Sequence, residues 1–214
     1  MLLSSLSLLL LRRALLSDPS VDGPATPDVS ARVEQIVRRH LDAAWRTARD
    51  LGVPDRDLDD VLQEVMLVVV RRLDDIEPER ERSFVLGATA RVAANWRRTR
   101  RRHPEELTES MDSVSGVYEV PAGRAVFHGP EQALERSEKL QLLDRALQQM
   151  PAPLRVAFTL FELEQLTAKE VADELGVPPS AVFSRVRRAW VVFRHCCEQA
   201  NVELRTDGQE LADD

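Results

Sequence analysis

An all-α fold of two small helical domains joined by a flexible linker is predicted for this 214-residue chain, and three observations predict it. Its apolar residues, 43% of the total, are mostly Leu, Val and Ala, and aromatics are only 5%. Such side chains are enough to bury cores and favour helices over a sheet-rich fold. Apolar positions recur at three- and four-residue steps, the spacing of one helix face. That period is lost over residues 104–130, which gather Gly, Pro, Ser and acids. A loop of that length inside one domain is uncommon. The expected division is an N-terminal extension (1–30), a first domain (31–103), a linker (104–130), a second domain (131–197) and an acidic tail (198–214).

The extension opens with MLLSSLSLLLLRRALL. This Leu run has signal-peptide length, but no positive residue precedes it and no A-x-A-like cleavage site follows. It is too short to span a bilayer. It reads as a dispensable extension in preference to a membrane-contacting helix, and residues 17–30, rich in Pro, Ser and Asp, as a flexible lead-in.

A first helix is set by Val33, Ile36, Val37, Leu41, Ala44, Trp45 and Ala48, and Leu51-Gly52-Val53-Pro54 stops it. Asp55 or Asp57 is expected to cap a second helix over about 58–73, ended by Asp74, Asp75 and Pro78. Ser83 is expected to cap a third over about 84–101, closed by His103-Pro104. Helical periodicity resumes over 131–149, and Met150-Pro151-Ala152-Pro153 breaks it. Helices over about 154–163, 168–175 and 180–198 follow. The adjacent Cys196 and Cys197 cannot staple distant segments and read as small apolar residues near a helix end.

Charge is unevenly spread behind the net −7. Residues 31–102 carry 16 Arg against 13 acids, while 103–138 carry two Arg against eight. Residues 180–195 hold four Arg and no acid; from 198 onward six acids face one Arg. DNA affinity follows the local field at the phosphates, so two basic islands between acidic segments are compatible with it. The acidic linker and tail are expected to restrain DNA binding by the free chain.

The sharpest motif is LTAKEVADELGVPPSAVFSRVRRAW, residues 166–190. Thr167 and Glu170 make a capping box, and Val171, Ala172 and Leu175 an inward face. Gly176 suits the left-handed turn, Val177 plugs it, and Pro178-Pro179 lead into the next helix. Val182, Val186 and Ala189 continue the apolar stripe. This is helix-turn-helix grammar, with a second helix able to enter the major groove. On it Ser180, Ala181, Ser184 and Arg185 are placed to meet base edges, and Arg187 and Arg188 to meet phosphates. A solvated amphipathic hairpin would not be expected to carry such one-sided charge.

In the first half, DLDDVLQEVMLVVVRRL (57–73) turns Leu58, Val61, Leu62, Val65, Val69 and Leu73 inward and leaves Asp60, Gln63 and Glu64 as an acidic face suited to a basic partner. RSFVLGATARVAANWRRTRRR (82–102) carries Arg91, Asn95, Trp96, Arg97 and Arg98. Arg neutralises phosphates, Asn reads base edges and Trp can stack on an unpaired base. These two segments, with residues 150–190, resemble regions 2 and 4 of the extracytoplasmic-function sigma factors, a branch of the sigma-70 family. Val85-Leu86-Gly87 departs from the family's aromatic-Leu pair, and Asn95-Trp96 from its Asp-His-like pair.

The resemblance implies an alternative sigma factor of the cytoplasm, with core RNA polymerase and promoter DNA as partners. Asp60, Gln63 and Glu64 would dock on polymerase, residues 91–98 would take the −10 element, and the recognition helix the −35 element. The family often has an anti-sigma factor, so one is an expected further partner. The alternatives are a stand-alone regulator binding DNA as a dimer through residues 166–195, and a module that sequesters a transcription partner. No enzyme, metal site, cofactor or small-molecule substrate is expected. The four His are scattered, adjacent Asp59 and Asp60 diverge on a helix, and no phosphate loop or nucleophile elbow is present.

Overall fold

A computed structural model describes residues 27–102 and 130–200. The predictions on residues 1–26, on the linker and on the tail beyond 200 lie outside the described residues. Every regular element among the described residues is helical.

Helix α1 (Pro27–Asp50) begins inside the stretch read as a lead-in. It buries Val33, Ile36, Ala43, Ala44 and Ala48, and ends at Gly52, whose φ of 88° suits glycine. Helix α2 (Asp55–Arg71) turns all five predicted apolar positions within it inward, together with Met66. Its N-cap is Pro54, with no side-chain cap. Asp55 and Asp57 lie instead within the first turn, where a carboxylate suits the helix dipole.

Two short 3₁₀ turns, Leu73–Asp75 and Pro78–Arg80, lead to α3 (Glu81–Arg102). The expected Ser83 cap is therefore corrected. Pro78 pre-sets an earlier start, and Ser83 sits buried in the first turn with its hydroxyl donating to the Arg80 carbonyl. Arg32 of α1 holds these turns, donating to the carbonyls of Leu73 (3.3 Å) and Ile76 and to Glu81 (3.3 Å).

The second half holds α4 (Pro130–Gln149), α5 (Ala152–Phe158), a π-helical turn (Thr159–Leu163), α6 (Ala168–Leu175) and α7 (Pro179–Gln199). The helix expected over 154–163 thus widens after Phe158, and the Glu164 N–H closes the wide turn on the Thr159 carbonyl at 2.9 Å.

The apolar cores do not follow the division seen in the sequence. One cluster joins α1, α2 and α3 to Ala157, Leu160, Leu166, Val171, Ala172, Val182 and Val186 of the second half. The other holds Leu142, Ala146, Leu147, Met150, Leu154, Phe158, Ala189, Cys196 and Cys197. The helix-turn-helix therefore packs against the first domain, α4 and the end of α7 keep their own core, and α5 contributes to both, Ala157 to the first and Leu154 and Phe158 to the second.

Candidate nucleic-acid interface

The helix-turn-helix is built from local chemistry. The Glu170 N–H donates to Thr167 Oγ1 at 3.2 Å, and the Thr167 N–H and hydroxyl donate to Glu170 Oε2 at 2.8 and 2.7 Å. These bonds favour the ionised form and hold the Glu170 carboxyl below its ordinary range. Gly176 turns the chain at φ 64°, the Val177 N–H donates to the Ala172 carbonyl at 3.1 Å, and Pro179 occupies the first position of α7.

Val182, Val186 and Ala189 anchor α7 from beneath. On its outer side Ser180, Ser184, Arg187 and Arg188 are exposed, and Ala181 and Arg185 are half-buried. Among the described residues, no carboxylate pairs with Arg185, Arg187 or Arg188. Their positive charge is directed to solvent, as a phosphate-facing surface requires. Trp190 beside them is tied down, donating to Glu162 at 2.8 Å and meeting Phe158 edge-on.

The second set lies on α3. Arg91, Asn95 and Arg98 are exposed and spaced by four and three residues, so they share one face. Trp96 and Arg97 are half-buried. The Trp96 ring packs against the core on one side, and the Arg100 guanidinium stands 5.1 Å from its centroid. Arg100 is itself anchored by Asp57 at 2.8 Å. Trp96 therefore leaves only part of its ring open.

Arg91 is engaged across the two halves. It donates to the Glu174 carbonyl at 2.8 Å and to Glu174 Oε2 at 3.1 Å. It also lines a cleft of about 430 Å³ with Val68, Arg72, Ile76 and Phe84, and Glu174 of α6 forms part of the wall. The third set, Asp60, Gln63 and Glu64, is exposed on α2 opposite the buried stripe. The three sets thus stand on separate helices, and Arg91 of the second touches the helix-turn-helix through Glu174.

Sequence reasoning missed the residues that join the halves. Glu164, 3% exposed, receives Arg46 of α1 at 3.3 Å and Arg82 of α3 at 2.9 Å. Arg80 meets Asp173 at 3.1 Å. Gly87 lies buried against Glu174, and a Cβ there would stand 2.7 Å from the Glu174 Cβ. The only signal was Gly87 itself, the departure in the third helix. Among the described residues no cluster of three or more His, Cys, Asp or Glu could hold a metal, and no helix is long and apolar enough to cross a membrane.

Residues 36–103 match the family Sigma-70 region 2, and residues 140–190 match Sigma-70, region 4. The chain is 28% identical to the ECF RNA polymerase sigma factor SigE of Mycolicibacterium smegmatis over 156 residues, 72% of this chain and 57% of that protein. It is 27% identical to the RNA polymerase sigma factor NccH of Alcaligenes xylosoxydans xylosoxydans over 180 residues, 81% of this chain and 93% of that one. The fold is similar to that of the sigma factor RpoE from Bartonella quintana, solved with the anti-sigma factor NepR. There the TM-score is 0.56 at 18% identity, covering 77% of this chain and 96% of that one.

Proposed function

We infer, because the chain belongs to the sigma-70 family and to its extracytoplasmic-function group, that it is an alternative sigma factor which binds core RNA polymerase and directs transcription initiation. The observation that carries this is the pair of region matches in order along one chain, the second containing a complete helix-turn-helix. A stand-alone dimeric regulator leaves the first domain, with its exposed Asp60, Gln63 and Glu64, without work.

The roles divide by helix. Ser180, Ala181, Ser184 and Arg185 read the −35 major groove while Arg187 and Arg188 neutralise its phosphates. Arg91, Asn95, Trp96, Arg97 and Arg98 engage the −10 element, where the cleft beside Phe84 offers an apolar wall to a base taken out of the stack. Asp60, Gln63 and Glu64 dock on a basic surface of polymerase. The catalysis belongs to polymerase, the site of action is the cytoplasm, and an anti-sigma factor is a further partner, by analogy with the NepR complex.

Run-off transcription from a genomic promoter library tests this, using core RNA polymerase with and without the full chain. Transcripts that need both, and share two short upstream elements, are expected. Replacing Arg185 should alter the upstream element's preference, and replacing Arg91 should weaken initiation without altering it. No chain-dependent transcript, together with no binding to core polymerase, would return the stand-alone regulator to first place.

A further inference from the structure

Among the described residues the exposed large hydrophobic side chains are Phe183, Trp190 and Val191, and all three lie on α7. Trp190 and Val191 stand two turns beyond Phe183, about 10 Å further along the helix axis, and the Trp190 indole is tied to Glu162. Phe183 is the fifth residue of α7, in the part of such a helix that meets base edges. The buried Val182 and Val186 fix the rotation of the helix. Phe183 therefore shares a side with Ser180 and Arg187, three residues before it and four after. One edge of its ring meets Phe161, at 5.9 Å between centroids and 76° between planes, and that contact steadies it. The side chain is still 54% exposed, which costs hydrophobic free energy that an apolar partner would recover.

We propose that Phe183 reads the C5-methyl group of a thymine in the upstream element, and so sets a T·A preference at one position of it. This rests on the reading of α7 as the −35 helix. A phenyl ring has no N–H or O–H donor and no lone pair, so it cannot address the polar base edges that Ser184 and Arg185 address. Of the groups that the four bases present in the major groove, the thymine methyl is the apolar one. A cytosine at the same position would put its N4 amino group against the ring and leave that donor unpaired. Thymine is thus favoured by burial and cytosine disfavoured by desolvation, the two ways in which a contact discriminates. Arg187, one turn on, holds the phosphates and so keeps the methyl within reach of the ring.

The test uses holoenzyme made from the full chain and core polymerase, on a promoter duplex found by run-off transcription. Each thymine of the upstream element, on either strand, is replaced in turn by deoxyuridine, which lacks only the methyl group. At one position the exchange should weaken binding about fourfold, the value of one buried methyl. Phe183→Ala should bind the thymine and deoxyuridine duplexes alike at that position. Phe183→Leu, which keeps an apolar side chain, should retain most of the difference. An upstream element with no sensitive thymine, or a sensitivity that survives Phe183→Ala, overturns the assignment. So does a Phe183→Ala chain that binds core polymerase more weakly and keeps the methyl dependence, since Phe183 would then be a protein contact. A scrambled upstream element separates this from the reading beneath it. If scrambling lowers affinity while no methyl matters, the role given to Phe183 alone is wrong. If scrambling changes nothing, α7 does not read a −35 element and both fall.

Discussion

Asp50 closes α1 with its carboxylate 3.9 Å from the Arg49 guanidinium. Burial raises its pKa from 3.8 to about 7; the approach of Asp144 and Glu164 adds to the rise, and Arg49 and Arg46 oppose it. In the folded chain the group keeps its proton up to about pH 7, whereas in the unfolded chain it loses it near 3.8. The folded state therefore binds more protons across that window, and stability from this group, complete below 3.8, is lost as pH rises through about 7. Asp50→Asn should flatten that dependence and stabilise the chain at pH 8 relative to pH 5, by on the order of 1–3 kcal/mol. Urea midpoints for both chains at the two pH values check this; a parallel shift at both would contradict it. Nothing local in LDAAWRTARD announces this behaviour, because two of the groups responsible arrive from the second half. Arg32 was equally unreadable, its acceptors lying 41 to 49 residues away.

At the scale of elements, legibility tracked how local the chemistry is. The capping box, the Gly176 turn and the buried stripes of α2 and α7 rest on residues within a few positions of one another, and the structure has all of them. The π-helical turn depends on tertiary contacts instead, and the start of α3, pre-set by Pro78, is reinforced by them. Arg32 reaching Glu81 favours the earlier start, and Arg46 and Arg82 draw Glu164 inward just after the widened turn. Two substitutions test how far local chemistry sustains the helix-turn-helix. Thr167→Ala removes the hydroxyl half of the capping box, leaving the residue 167 N–H to donate to Glu170, and should destabilise by about 1 kcal/mol. At Gly176 an added Cβ would meet nothing within 4 Å. The cost of Gly176→Ala is then purely that of a left-handed backbone, again about 1 kcal/mol. Thermal unfolding followed at 222 nm should show the two penalties, nearly additive if each acts on its own end of α6.

Over the whole molecule, charge explains both what was legible and what was not. The two basic islands were plain in the sequence, but their fates differ. Arg80, Arg82 and Arg91 of the first island are matched by acids 82 to 93 residues away. In the second island Arg185, Arg187 and Arg188 meet no carboxylate among the described residues. No pattern of spacing could have told these apart, since the pairing depends on how α6 lies against α3. The difference has a measurable consequence for promoter binding by the holoenzyme. Each phosphate neutralised by an uncompensated arginine releases counterions and steepens the fall of affinity with salt. Arg187→Ala should lower the slope of log affinity against log salt by about one and weaken all promoters alike. Arg185→Ala, at a position proposed to meet base edges, should instead cost about 1–3 kcal/mol at its preferred upstream element and less at others. Titrations of holoenzyme on two upstream elements, over a range of potassium chloride, separate these outcomes. If the two variants lost affinity with the same slope and the same element dependence, α7 would be neutralising the duplex and not reading it. The division of labour along the helix would then have to be redrawn.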